Sequence, residues 1–180
     1  MKKILLIVFA ITPLLAFSQK IDKCEIDDFT GKKTVYTSWT KIKMGNAMSG
    51  RNNLMFRLSS VDDKIRFHIK WITVDVTSIR EDAELMFKLN DDEVLTLNAA
   101  SYAIAGKGEG VTGLSWSAIV GISATYKGAD ISKFGDDTYV SKLRIYTSDG
   151  YEDIDIKEKD AKKINKAYAI MIEASNKLSK

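Results

Sequence analysis

The chemistry open to this chain is limited first by its single histidine. His68 is the only histidine and Cys24 the only cysteine among 180 residues. A Ser-His-Asp or Cys-His nucleophilic site would therefore have to use His68. It lies within an alternating run beside Arg66 and Lys70, and their charges disfavour its protonation. We interpret His68 as a solvated strand residue, predict no catalytic residue, and favour a protein that is not an enzyme.

Acidic residues could supply a second kind of chemistry. One His and one Cys do not provide an ordinary zinc ligand set, and no acidic run has the ligand offsets of a helix-loop-helix calcium site. Because Asp favours turns, we interpret the acidic clusters as turns and predict neither a metal nor a cofactor. A carboxylate pair brought together by the fold could still hydrolyse glycosides, which keeps a small carboxylate-dependent hydrolase as an alternative. The acidic clusters occupy positions 62–63, 91–93, 136–137 and 149–155.

A glycine-rich stretch at 108–113 matches the dinucleotide pattern G-x-G-x-x-G. That pattern marks a phosphate site only where it follows a strand and begins a helix. Here a strand-like run follows it from Leu114. We therefore predict a hairpin loop.

Aromatic side chains are the remaining candidates for ligand binding: Tyr36, Trp39, Trp71 and Trp116. Trp71 and Trp116 lie on apolar stripes of strand-like runs, so core packing is the simpler interpretation for both. Tyr36 and Trp39 lie in a more polar run, which makes them the better surface candidates.

The elements that position these residues are mostly strands. Residues 64–73 alternate most clearly, with Ile65, Phe67, Ile69 and Trp71 on one face. Residues 54–60 alternate before the turn at 62–63, and the pair predicts a hairpin. About eight to ten strands with short connections predict an antiparallel β-sandwich or barrel. Further strands are predicted at 34–42, 83–89, 93–99, 114–126, 138–147 and 151–156, with a helical turn at 128–134.

A helix is predicted over about 158–178 at the end of the chain. Apolar residues recur there at steps of three and four, from Ile164 to Leu178, and lysines fill most of the other face. We expect this amphipathic helix to pack on the sheet. Docking to a membrane or a partner is the alternative for such a basic helix.

The first eighteen residues predict a secretory signal peptide. A positive start is followed by the apolar run Ile4–Leu15 and by the small-residue pattern Ala16-Phe17-Ser18, so cleavage is expected before Gln19. Residues 19–180 then form one β-rich domain without a transmembrane segment. The residues before Cys24 do not suit lipoprotein processing, so a soluble periplasmic or secreted protein is expected.

Residues 19–180 keep 25 Lys and Arg against 24 Asp and Glu, which argues against nucleic-acid binding.

Several segments resemble small exported proteins of unknown function from Bacteroidetes-type bacteria. The resemblance rests on the leader end 17–19, on 29–33 leading to 37–39, and on 142–147 with the Lys-rich helix. It implies a periplasmic or secreted setting and no particular activity. We hypothesise an exported non-enzymatic β-rich module that binds a protein partner or a small ligand. A lipocalin-like carrier of an apolar ligand is an alternative beside the hydrolase.

Overall fold

The computed structural model describes residues 19–45, 53–73, 76–107, 120–128, 131–135 and 138–178. The predicted leader at 1–18, the glycine-rich stretch 108–113 and Trp116 lie outside these ranges. The described residues form thirteen strands, one 3₁₀ helix (Ile131–Gly135) and one α-helix, α1 (Glu158–Leu178). Nine strands have five or more residues, and the others are shorter. The strands are β1 (Ile21–Ile26), β2 (Lys33–Thr37), β3 (Thr40–Lys43), β4 (Leu54–Val61), β5 (Lys64–Thr73), β6 (Ser78–Ile79), β7 (Glu84–Leu89), β8 (Val94–Ala99), β9 (Ala103–Ile104), β10 (Gly106–Lys107), β11 (Val120–Lys127), β12 (Val140–Thr147) and β13 (Gly150–Asp155).

Eleven of these strands form one antiparallel sheet. Its hydrogen-bonded order is β1-β2-β4-β5-β11-β8-β7-β12-β13, with β3 also paired to β4 and β10 to β11. Strands β6 and β9 form a separate pair. The order has two ends, β1 and β13, so the sheet is not closed into a barrel. The predicted antiparallel β fold with a C-terminal helix is confirmed, in an open, sandwich-like form.

The β4–β5 hairpin forms the centre of one half of the sheet. Leu54, Phe56 and Leu58 pair with Trp71, Ile69 and Phe67, so both apolar stripes lie on the same side. Asp62 and Asp63 connect the strands with φ of 47° and 61°, the left-handed pair that suits the twist of a two-residue hairpin. The hairpin predicted from the alternation is therefore confirmed.

Phenylalanines join the two halves of the sheet. The Phe67 ring of β5 lies with its centroid 5.0 Å from that of Phe87 in β7, although β11 and β8 separate these strands in the sheet. Phe134 of the 3₁₀ helix packs edge-on to Phe87 at 5.2 Å, and Phe56 stacks on Phe67 at 5.5 Å. The sheet therefore bends until its halves face each other across a filled core.

Helix α1 covers the open side of this core. Its buried stripe includes Ala161, Ile164, Ala167 and Met171, and the helix contacts β1–β4 on one side and β12 with the 3₁₀ helix on the other. The predicted bounds and the predicted packing on the sheet are confirmed. β3 and the end strand β13 approach each other, where Lys43 Nζ of β3 donates to the Asp155 carbonyl of β13 at 3.1 Å.

The run 34–42, predicted as one strand, is broken into β2 and β3. Thr37 explains the break, because its hydroxyl oxygen accepts a hydrogen bond from the Leu58 amide at 2.9 Å and replaces a backbone partner there. Ser38 then leaves the β4 ladder, and its amide donates to the Lys20 carbonyl at 2.7 Å. The chain consequently presents Trp39 between two strands instead of within one.

Candidate binding face on the sheet

The side of β2, β4, β5 and β11 that faces away from the core is strongly basic. Alternation directs core residues inward, and the register places the remaining positions of these strands together on the outside. The outward positions of these four strands carry no Asp or Glu. They carry five cations, which we call the basic face: Arg57, Lys64, Arg66, Lys70 and Lys127.

Arg57 is held between two aromatic rings. Its Cζ lies 4.6 Å from the centroid of the Tyr36 ring and 4.7 Å from that of the Trp39 ring. Lys70 Nζ lies 4.7 Å from the same Trp39 ring. Cation–π attraction therefore orders two cations around one indole.

Most of the basic face lacks a counter-ion among the described residues. Lys127 pairs with Asp82 at 3.8 Å, where both side chains are more than half exposed. No described carboxylate forms a salt bridge with Arg57, Lys64, Arg66 or Lys70. The Arg57 Nε atom is buried and makes no hydrogen bond to a described residue.

His68 lies in the middle of this face and is buried, with 9% of its surface exposed. Its Nε2 lies 2.8 Å from the Ser59 hydroxyl and its Nδ1 lies 2.8 Å from the Thr125 hydroxyl. Burial first, and then the charges of Arg57 and Arg66, lower the pKa of His68 to about 4. The prediction of a solvated histidine is therefore wrong, because hydrogen-bonding neighbours on both adjacent strands surround the ring.

The Ser59–His68 pair resembles half of a nucleophilic site but lacks access to solvent. Ser59 has no exposed surface. A nucleophile must reach its substrate, and this hydroxyl lies beneath the face. The pair therefore satisfies buried polar groups, as such groups in protein interiors normally are.

A groove of about 500 Å³ lies at the β4–β5 turn end of the face. Lys64, Arg66 and Lys127 line it together with one acid, Asp63. The groove continues the basic face, because Lys64, Arg66 and Lys127 belong to both the groove and the face.

The structure separates the residues predicted to bind a ligand. Tyr36 and Trp39 come together around Arg57. Trp71 lies on the opposite, core side, where its Nε1 is buried without a hydrogen-bond partner among the described residues. The sequence does not identify Arg57 as a site residue. Its position between the two rings depends on the register of β4 with β5 and on the break before Trp39, and neither can be read from the sequence.

The carboxyl groups with clear pKa shifts are all stabilised as anions. Hydrogen bonds from Arg144 lower the pKa of Asp153 and those from Thr30 lower that of Asp27. Lysines do the same for Asp92 and Glu173. A general acid would need a shift in the opposite direction.

Neither a metal centre nor a spanning helix is found in the described part of the chain. No group of three or more His, Cys, Asp or Glu residues there could hold a metal ion. Among those same residues, no helix has the length and apolarity needed to cross a membrane.

Comparison of the chain with models of protein families, with curated proteins and with solved structures finds no match.

Proposed function

We propose that this chain is an exported, non-enzymatic module that binds a protein partner or a small ligand through the basic face. The observation that carries the proposal is Arg57, clamped between Tyr36 and Trp39 beside Lys70, with no carboxylate facing it on the four strands. Cations ordered by aromatic rings lose little side-chain freedom when a ligand binds, which reduces the cost of association.

The core gives less support to an apolar-ligand carrier. Such a carrier needs a cavity lined by the large apolar side chains, whereas Phe56, Phe67, Phe87 and Phe134 contact one another. A small hydrolase needs a carboxyl group with a raised pKa, whereas the surroundings lower the pKa of Asp27, Asp92, Asp153 and Glu173. Both observations favour a ligand on the outside of the sheet.

Export belongs to the same proposal and rests on the leader and on the resemblance to exported Bacteroidetes-type proteins. N-terminal sequencing of the protein from its own host tests it. A mature chain that begins at Gln19 supports export, whereas an intact chain recovered from the cytoplasm contradicts it.

Native mass spectrometry tests the binding role. Wild type and the variant R57Q/K70Q are purified from the cell envelope of the host under identical conditions. A molecule or protein bound to wild type and lost from the variant is the expected result. The control variant K157Q/K159Q removes two exposed lysines at the N-terminal end of α1, which packs on the core side of the sheet, and it should retain the bound species. Equal retention by all three proteins would show that the basic face is not the binding surface.

A further inference from the structure

We infer that the partner of the basic face is the surface of a membrane that contains anionic lipid. This inference rests on the proposed function, since it uses the same face, and it assigns anionic lipid headgroups in a membrane as the small ligand. The shape of the charged surface, its aromatic residues and the charge distribution of the chain support it.

The cations of the basic face are spread out instead of converging on one point. Lys64 and Lys70 are six residues apart on β5, which corresponds to about 20 Å along the strand. From Arg57 on β4 to Lys127 on β11 the cations cross two strand spacings, or about 10 Å. A single small anion could contact only part of this area, whereas an array of lipid headgroups meets all of it.

The backbone at the centre of this face has no capacity for a peptide strand. β4 and β5 are each paired on both sides, so their amide and carbonyl groups are used within the sheet. Recognition by strand addition requires an unpaired edge. Side chains must therefore make the contacts over β4 and β5, which suits a charged surface better than an extended peptide.

Tyr36 and Trp39 suit the boundary between headgroups and water. Amphipathic aromatic rings concentrate at that level of a bilayer. Both rings are partly exposed and lie among the cations.

The charge of the chain is also distributed unequally. Residues 19–180 are almost neutral, with 25 basic and 24 acidic side chains, yet five cations face one way. The acids beside them in the described part of the chain are Asp82, which pairs with Lys127, and Asp63 in the groove. A nucleic acid would meet a nearly neutral protein over the rest of its length. A planar anionic surface meets only the basic face, which orients the molecule.

Vesicle co-sedimentation tests the inference with the chain 19–180. Mixed phosphatidylglycerol and phosphatidylcholine vesicles are compared with pure phosphatidylcholine vesicles at low salt. We expect binding to the anionic vesicles and little to the neutral ones. Each cation removed should weaken partitioning about fivefold, so K70Q should lose about fivefold and R66Q/K70Q about 25-fold. Raising the salt to about 1 M should abolish binding, because the screening length falls to about 3 Å.

Three controls keep the result interpretable. K157Q/K159Q removes the same charge as R66Q/K70Q from the N-terminal end of α1 and should sediment like wild type. R66Q/K70Q leaves the Arg57 clamp intact, and its thermal unfolding is compared with wild type to verify folding. Soluble polyglutamate and duplex DNA are added as competitors at equal charge concentration, and neither should displace the protein efficiently.

Several outcomes would overturn the inference. These are equal binding to neutral vesicles, equal loss in K157Q/K159Q, or tighter binding to polyglutamate or DNA than to anionic vesicles. If vesicles do not bind but native mass spectrometry finds a species lost in R57Q/K70Q, the membrane inference fails and the proposed binding role stands.

Discussion

The buried histidine should make folding stability depend on pH in a way that a single variant can isolate. His68 is neutral in the folded protein, and its pKa of about 4 lies below the ordinary value of 6.5. An unfolded chain therefore binds the proton more tightly than the folded one. The contribution of His68 to stability is fully present above about pH 6.5 and is lost as the pH falls towards about 4.

The size of the effect follows from the two pKa values. A difference of about 2.5 units corresponds to about 3 kcal/mol of unfolding free energy, most of which is lost by about pH 4.5. His68 is only 9% exposed, so solvent screens this penalty little. The Ser59 hydroxyl can accept a hydrogen bond from Nε2 and the Thr125 hydroxyl one from Nδ1, so both also suit a protonated ring. The cost of protonation therefore comes from desolvation and from Arg57 and Arg66.

Urea unfolding of wild type and H68Q between about pH 7.5 and about pH 4.5 measures this contribution. Carboxyl groups titrate in both proteins, so the difference between their pH profiles reports His68. We expect wild type to lose about 2–3 kcal/mol more than H68Q over this interval. Because the chain has one histidine, its imidazole resonances also give the folded-state pKa by NMR. Parallel profiles, or an NMR midpoint near 6.5, would refute the reasoning.

Three further substitutions test the core. F67A removes a fully buried ring that contacts three other phenylalanines and should cost about 3–5 kcal/mol by urea unfolding; a loss below about 1 kcal/mol would contradict the packed interior. Y126F deletes a buried hydroxyl without a hydrogen-bond partner among the described residues, so stability should rise by about 1 kcal/mol; a clear loss would reveal a partner for that hydroxyl. G128A places a Cβ 2.5 Å from Leu97 Cδ2 and 3.2 Å from Leu97 Cα, and should lower the melting temperature through a cost of about 1–3 kcal/mol; an unchanged melting temperature would show that β8 moves freely.

The sequence was most informative where one physical rule determines the outcome. The period of two over 64–73 predicts β5, and the uninterrupted period near 3.6 over 158–178 predicts both ends of α1. Asp62 and Asp63 mark a tight turn, because Asp tolerates the left-handed conformation. These features depend on neighbours in the chain.

The candidate site depends instead on partners that are distant in sequence. Thr125 reaches His68 across 57 positions, and Arg57 contacts Trp39 only because Thr37 ends β2 early. Strand order decides which outward residues become neighbours, and the order β5-β11-β8-β7 cannot be derived from periodicity. Charge alternation on β5 therefore predicts a polar face but not a buried histidine within it.

The position of α1 after all the described strands has a consequence for synthesis. The helix supplies the only α-helical cover among the described elements for the side of the core formed by β1–β4, and its 21 residues are made after every one of those strands. Until the helix emerges, β1–β4 keep their apolar stripe in water. The pairing of β5 with β11 is also delayed, because β11 follows β5 by nearly fifty residues. A nascent chain so built cannot complete the described fold before α1 has left the ribosome, so the strands must remain incompletely packed until then.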